Sequence, residues 1–273
     1  MVISLQRDLR ASIGAVIFDV DGVLIASPHE RAWRDALRAL MATEWRSSAP
    51  GNTYAPERFT TAVYQAHVAG KPRLDGATAL LDYFGVPDAR QRAVTLGERK
   101  QALIETFIAH GEFEGFPDAV RLVLALRAVG VCMAVASSSK NANAFMERVH
   151  LTDQETLRDV FDANVCGRKL AHGKPHPDIF LVAARELDVT PSRCVVVEDA
   201  ASGIQAARAA GMQAVGVARL DDAALLEAAG ADLVLTTLDM LDVKALAEGR
   251  LERQSETAPL PSVRAGATRG RRA

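Results

Sequence analysis

The chain has 273 residues, 49% of them hydrophobic and 24% charged, which suffices for one large domain or two modest ones and excludes wholesale disorder, collagen-like repeats and coiled coil. Its 32 basic and 34 acidic side chains leave a net charge of −2, so no global field holds nucleic acid or an anionic membrane surface, and an anionic ligand must be gripped locally. No uncharged stretch outruns 128–139, far short of the roughly 18 residues a membrane span needs.

The N-terminal segment carries Arg7, Asp8 and Arg10 ahead of an apolar run and no cleavage-like site, so a cytoplasmic protein is expected. Strands are expected over 15–18, 131–136, 194–197, 214–217 and 233–235, each an almost continuous apolar run of the kind that a parallel sheet covered on both faces produces. Helical spacing over 118–128, 178–187 and 202–210 separates them, which gives an α/β chain with a doubly wound, Rossmann-like parallel sheet. The interval between the first strand and the second is too long for one crossover. Its helical patterns over 29–41, 56–68, 74–84 and 90–110, with a Ser/Pro/Gly loop at 47–56, predict an inserted all-helical cap domain. The expected division is a core of residues 1–26 and 116–248, a cap of 27–115, and a disordered tail of 249–273 whose basic end holds Arg269, Arg271 and Arg272. Cys132, Cys166 and Cys194 are odd in number and widely spaced, so buried reduced thiols are expected rather than disulfides or zinc.

The first strand delivers Phe18-Asp19-Val20-Asp21-Gly22, and a period of two puts both carboxylates on one side at the carboxyl edge of the sheet, where open α/β sheets bind ligands. Such a pair can hold a divalent cation. A second pair, Glu198-Asp199, ends the strand over 194–197 in the same way. Four carboxylates at one edge raise one another's pKa unless a cation neutralises them, and an oxygen-only donor set favours Mg²⁺. Helix capping explains Asp199 alone but not both pairs. Ser137-Ser138-Ser139-Lys140-Asn141 follows the second strand with hydroxyls and backbone donors at a helix start, which attracts phosphate or merely caps the helix. Lys174, in Gly173-Lys174-Pro175-His176-Pro177, opens another helix, where a cation is misplaced against the dipole unless an anion is near. His172 and His176 read as loop residues, since no third imidazole or thiolate accompanies them. In the insert, Gly70-Lys71-Pro72-Arg73 is a basic, turn-rich loop in which Arg73 offers a planar fork to an anion.

The order Asp-x-Asp-Gly, strand-terminal Ser, Lys-Pro and Glu-Asp-x-x-x-Gly-Ile-x-Ala-Ala resembles the haloacid dehalogenase superfamily, from Ile13 to about Leu246. The resemblance implies that Asp19 is the nucleophile forming an aspartyl-phosphate and Asp21 the general acid/base. It implies Ser137 and Lys174 as phosphate ligands, and an Mg²⁺ ion held by Asp19, Asp21, Glu198 and Asp199, at Asp21 through the backbone carbonyl. Dehalogenation needs no such metal site. The loop at Gly70, Lys71 and Arg73, together with His29, Trp33, Lys100, Ser138, Ser139, Lys140 and Asn141 as substrate contacts, is similar to the β-phosphoglucomutase branch. That branch implies a small phosphosugar as the partner, neither nucleic acid nor membrane, a monomer, and conversion of β-glucose 1-phosphate to glucose 6-phosphate. The segment from Leu24 to Pro28 is two residues short for that branch and lacks its acidic residue, which leaves a sugar phosphatase as the alternative.

Overall fold

The computed structural model describes residues 13–254 apart from 48 and 50; Arg7, Asp8, Arg10, Arg269, Arg271 and Arg272 lie outside the described residues. The chain enters the sheet at β1 (Ala15–Phe18). It then makes β2 (Ile25–Ala26), the helices α1 (His29–Ala42), α2 (Thr61–His67), α3 (Arg73–Tyr83) and α4 (Ala89–His110), and β3 (Glu114–Gly115). The rest alternates: α5 (Pro117–Ala128), β4 (Cys132–Val135), α6 (Ala142–Met146), β5 (Ala163–Asn164), α7 (Asp178–Glu186), β6 (Cys194–Glu198), α8 (Ala201–Ala209), β7 (Gln213–Val217), α9 (Ala223–Ala228), β8 (Leu233–Leu235) and α10 (Val243–Ala247).

Six parallel strands form one sheet in the order β5-β4-β1-β6-β7-β8. Period-two alternation divides each strand between two apolar layers. Val16, Phe18, Met133, Val135, Val195 and Val197 pack on one face, while Ala15, Ile17, Ala134, Cys194 and Val196 pack on the other. Because β1 sits between β4 and β6, the connections leaving it run to opposite sides, and a crevice opens at its carboxyl end.

The insert has its own apolar centre. On α1 the buried residues Trp33, Ala36, Leu37 and Leu40 follow helical spacing and join Leu80 and Leu81 of α3, Phe84 at its end and Leu96 of α4 in one cluster. β2 and β3 pair antiparallel where the chain leaves β1 and where it returns, with Ile25 opposite Gly115 and Ala26 opposite Glu114.

Several sequence expectations are corrected. The helical pattern over 56–68 breaks into a 3₁₀ turn at Pro56–Arg58 and α2, because the Thr60 hydroxyl accepts the Val63 N–H and starts a new helix. The strands β2, β3 and β5 have only two residues each, too few to show a period. Cys132 is exposed and Cys166 half-buried, leaving Cys194 as the buried thiol; all three are free.

The expected tail begins as ordered chain. Residues 249–254 lie against the core: Leu241 bridges Arg253, the Gln254 N–H donates to Met240 O at 2.7 Å, Arg253 Nη2 donates to Val234 O at 2.5 Å, and Leu251 packs on the apolar layer. Residues 255–273 of that expectation lie outside the described residues. A chain ending at residue 248 should melt about 2–4 °C below one ending at 254, as expected for the loss of about 1 kcal/mol of docking contacts. Equal midpoints in thermal denaturation would show that the segment contributes nothing.

Candidate active site

Asp19 follows β1 directly and is held in line by its N–H, which donates to Val197 O at 3.0 Å. It is 5% exposed, buried even though it stands at a strand end. The reason is Lys174. Its place at a helix start calls for a nearby anion, and its side chain runs inward to two carboxylates at the sheet edge. Its ammonium donates to Asp19 Oδ1 at 2.5 Å, Glu198 Oε1 at 2.5 Å and Ala136 O at 3.3 Å. All three donors are satisfied, by the ends of β1, β6 and β4 respectively. Burial alone would lower the lysine pKa, but Asp19 and Glu198 raise it above the ordinary value, so Lys174 stays charged.

One ammonium does not balance this corner. Asp19, Glu198 and Asp199 each place a carboxylate oxygen within 4.8 Å of the others. Burial pushes Asp19 up to about 7, with Lys174 opposing and Glu198 and Asp21 adding to the rise. Asp199 is raised well above its ordinary value by burial, Glu198 and Asp19. Gly22, at φ +88°, lets the backbone pass so close that a Cβ there would fall 1.9 Å from Asp199 Oδ2. An oxygen-only cluster with this charge excess, closed around by backbone, fits a hard divalent cation.

Asp21 does not join that cluster through its side chain. Its carboxylate turns toward the insert, with Oδ1 3.3 Å from His29 Nε2 and Oδ2 accepting from Ser137 Oγ at 3.4 Å. Burial would raise its pKa, but His29, Ser27 and Lys100 bring it down to about 2, and it is ionised at neutral pH. Lys100 Nζ lies 3.4 Å from His29 Nδ1 and 5.3 Å from the Trp33 ring centre. Burial pushes Lys100 down to about 7, with Asp21 opposing and Arg73 adding. Arg73 opens α3, its stem packed against Gly97 of α4.

The insert is seated on the core around this crevice. Ser202 Oγ donates to Ala69 O at 3.0 Å and Ser138 Oγ to Gly70 O at 3.3 Å. Gly70, at φ +73°, comes so near that a Cβ would meet Ser202 Oγ at 2.5 Å. Asn141 exchanges two hydrogen bonds with Gln101 of α4, at 2.9 and 3.1 Å, and Ser139 Oγ lies 3.2 Å from His29 Nε2. The expected phosphate-attracting helix start is only the five-residue α6. There the Ser137 and Ser139 hydroxyls accept the N–H groups of Ser139 and Asn141 in local turns.

Of two expected contacts, one is engaged elsewhere and the other is exposed. Lys71 Nζ donates to His67 O at 2.9 Å and caps the end of α2, and Lys140 is exposed. His172 and His176 do find a third partner, Asp178, which lies 3.3 and 2.9 Å from their Nδ1 atoms on the surface. Sequence reading missed Gln101, Tyr64 and Arg219. The Tyr64 phenol, pushed well above its ordinary pKa by burial, Asp199 and Asp21, feels the acidic cluster from the insert. None of the three carries a local motif, since each matters only through a partner distant in sequence.

The haloacid dehalogenase-like hydrolase family model matches residues 13–211. The chain belongs to that family. It is 34% identical over 246 residues to a β-phosphoglucomutase of Mycobacterium bovis, covering 84% of this chain and 92% of that one. It is 30% identical over 224 residues to a phosphorylated carbohydrates phosphatase of Thermotoga maritima, covering 81% and 93%. The structure of an archaeal β-phosphoglucomutase from Pyrococcus sp. strain ST 04 superimposes with a TM-score of 0.64 at 28% identity, over 86% of this chain and 99% of that one. These relatives make the chain an enzyme of the haloacid dehalogenase superfamily that transfers phosphoryl groups. No helix among the described residues is long and apolar enough to cross a membrane.

The Lys100 environment has a measurable sign. Below pH 7 its ammonium is charged in both folded and unfolded chains, while between 7 and the ordinary 10.5 only the unfolded chain keeps the proton. Stability relative to Lys100→Met should therefore rise with pH across that window, by at most about 1.4 kcal/mol per pH unit. Urea unfolding of both proteins at the two ends of the window checks this. A constant difference would mean that Lys100 is solvated.

Proposed function

We propose that this chain is an Mg²⁺-dependent phosphomutase that converts β-glucose 1-phosphate to glucose 6-phosphate through a phosphorylated Asp19. The observation that carries the reading is the presence of two separate groups of basic side chains: Lys174 beside Asp19 in the core, and Lys100 and His29 beside Asp21 under the insert, where Arg73 adds its charge. A bisphosphate intermediate has two phosphates to hold. The likeness to the Mycobacterium bovis mutase over most of both chains supports it.

In the first half of the cycle a sugar hydroxyl attacks the phosphorus of phosphorylated Asp19. Its proton passes to the Asp21 carboxylate, and the bond between phosphorus and the Asp19 oxygen breaks. Asp21, ionised at neutral pH by its neighbours, is in the state this base step requires. In the second half, with the bisphosphate turned round, Asp19 Oδ attacks the other phosphorus and protonated Asp21 returns its proton to the departing sugar oxygen. Ser137 and Lys174 hold the phosphoryl oxygens in line, and the insert seated on 138, 173 and 202 excludes water that would otherwise accept the group. Mg²⁺ held by Asp19, Glu198 and Asp199 would neutralise the repulsion between a carboxylate nucleophile and an anionic phosphate. The second reading, hydrolysis of a sugar phosphate, uses the same groups with water as acceptor and is favoured by the likeness to the Thermotoga phosphatase.

Asp19→Asn should lower turnover of any phosphate monoester at least roughly a thousandfold, the scale of losing a covalent nucleophile, with an unchanged circular dichroism spectrum. Substantial remaining transfer would reject Asp19. Mg²⁺ in hundredfold excess over its dissociation constant should stabilise the unaltered chain by about 2.7 kcal/mol in thermal melts and leave Asp199→Asn almost unmoved. Equal shifts would place the cation elsewhere. Arg73→Ala should cut formation of glucose 6-phosphate roughly a hundredfold while changing hydrolysis of a small aryl phosphate little, since the small ester never reaches the insert. If the unaltered enzyme makes no glucose 6-phosphate even when primed with bisphosphate, the phosphatase reading stands instead.

A further inference from the structure

Asp19 and Asp21 are two residues apart but are held by different parts of the molecule. Asp19 is fixed by the sheet, through Val197 O and Lys174. Asp21 stands on a small closed loop in which Leu24 N and Ile25 N both donate to Val20 O at 2.9 Å and Gly22 N donates to Ile25 O at 2.8 Å, so residues 20–25 form one hydrogen-bonded unit. That loop is gripped from outside by one guanidinium. Arg219, just past β7, donates through Nε to Gly22 O at 3.0 Å and through Nη2 to Val23 O at 3.1 Å. Its planar face lies on the Phe116 ring at 3.7 Å, and Phe116 N donates to Leu24 O at 2.9 Å.

The same guanidinium is aimed by Asp118, whose two oxygens accept from Nη1 and Nη2 at 3.1 Å each. Asp118 is itself pinned beyond β8, accepting from Leu238 N at 2.8 Å and Thr237 Oγ1 at 2.9 Å. Both side chains are largely buried. One fork thus ties the loop bearing Asp21 to the point where the chain returns from the insert, and ties both to the ends of β7 and β8. Lysine cannot replace it, because a single ammonium on a flexible stem has neither the fork nor the flat face.

We infer that Arg219, aimed by Asp118, is a positioning residue for Asp21, setting the general acid/base against the phosphoryl group without touching substrate. This rests on the reading of Asp19 as nucleophile and Asp21 as acid/base. Its consequence is an asymmetry between substrates. Transfer from an ester whose leaving group is already a stable anion needs Asp19, Lys174 and the metal ligands but no proton, whereas transfer from an alkyl or sugar phosphate needs Asp21 to protonate the departing oxygen.

The test compares the unaltered chain with Arg219→Ala and Arg219→Lys, using dinitrophenyl phosphate in rapid-mixing burst experiments and a sugar phosphate in the steady state. Both variants should keep a dinitrophenolate burst within about threefold of the unaltered rate while kcat with the sugar phosphate falls about a hundredfold, the usual worth of a placed acid/base. Rescue by Arg219→Lys to the unaltered rate would overturn the proposal by showing that charge alone suffices. So would equal losses with both substrates, which mark general damage to the fold, or no loss with either. Asp118→Asn, which keeps the side-chain volume, carries the same expected split should Arg219→Ala fail to fold. Failure of dinitrophenyl phosphate to place a phosphoryl group on Asp19 of the unaltered chain overturns the nucleophile reading and this inference with it, whereas a phosphorylated Asp19 there with no split in the variants overturns the positioning alone.

Discussion

A single buried ammonium organises the crevice. Lys174 ties the carboxyl ends of three strands through Asp19, Ala136 and Glu198, and it does so where water reaches almost nothing. Burying such a group is costly, and the charge is tolerable only because each proton of the ammonium has an acceptor. Removing one partner of such a pair typically costs about 3–5 kcal/mol, since the other charge is then stranded. The arrangement also leaves a charge excess, because Glu198 and Asp19 share one cation while Asp199 has no ion pair of its own among the described residues. Burial drives Asp19 and Asp199 upward in pKa and the neighbouring carboxylates add to the rise, which is the physical basis for expecting a divalent cation at this corner.

The second organising feature is the opposite environment of Asp21. Two residues on from Asp19, it faces a histidine and a lysine from the insert instead of carboxylates, and its pKa moves the other way. Two carboxylates whose surroundings push them apart are suited to different roles in one reaction. His29 and Lys100 belong to the helical insert, so two of the groups that hold Asp21 below its ordinary pKa come with the insert. The insert that carries them is seated on the core by the contacts at Gly70 and Asn141.

Much of this was legible in the sequence for identifiable reasons. Parallel strands buried on both faces must be nearly continuous apolar runs, so β1, β4, β6, β7 and β8 announced themselves, and the distance between the first two exposed the insert. The strands β2, β3 and β5 did not, because two residues carry no period. Acidic residues at the ends of β1 and β6 pointed to a shared edge, and the structure brings Asp19, Glu198 and Asp199 together there. Direction was not legible: strand alternation gave no hint that Asp21 would turn to His29, or that Lys174 would run inward. Arg219 and Asp118 lie about a hundred residues apart and belong to no motif, so only the fold reveals that they meet. Lys71 and Lys140 looked like anion grips because basic loop residues do, yet one caps a helix and the other is exposed.

Covalent transfer through Asp19 is tested most directly by looking for the phosphoryl group itself. The protein is mixed with a phosphate ester and Mg²⁺, quenched in acid within one turnover, digested and read by mass spectrometry. The account predicts one added phosphoryl group on the peptide containing Asp19-Val20-Asp21, lost on treatment with hydroxylamine as an acyl phosphate is, and located at Asp19 by fragmentation. Turnover without a phosphorylated peptide at any quench time, or a phosphoryl group on another residue, would contradict it.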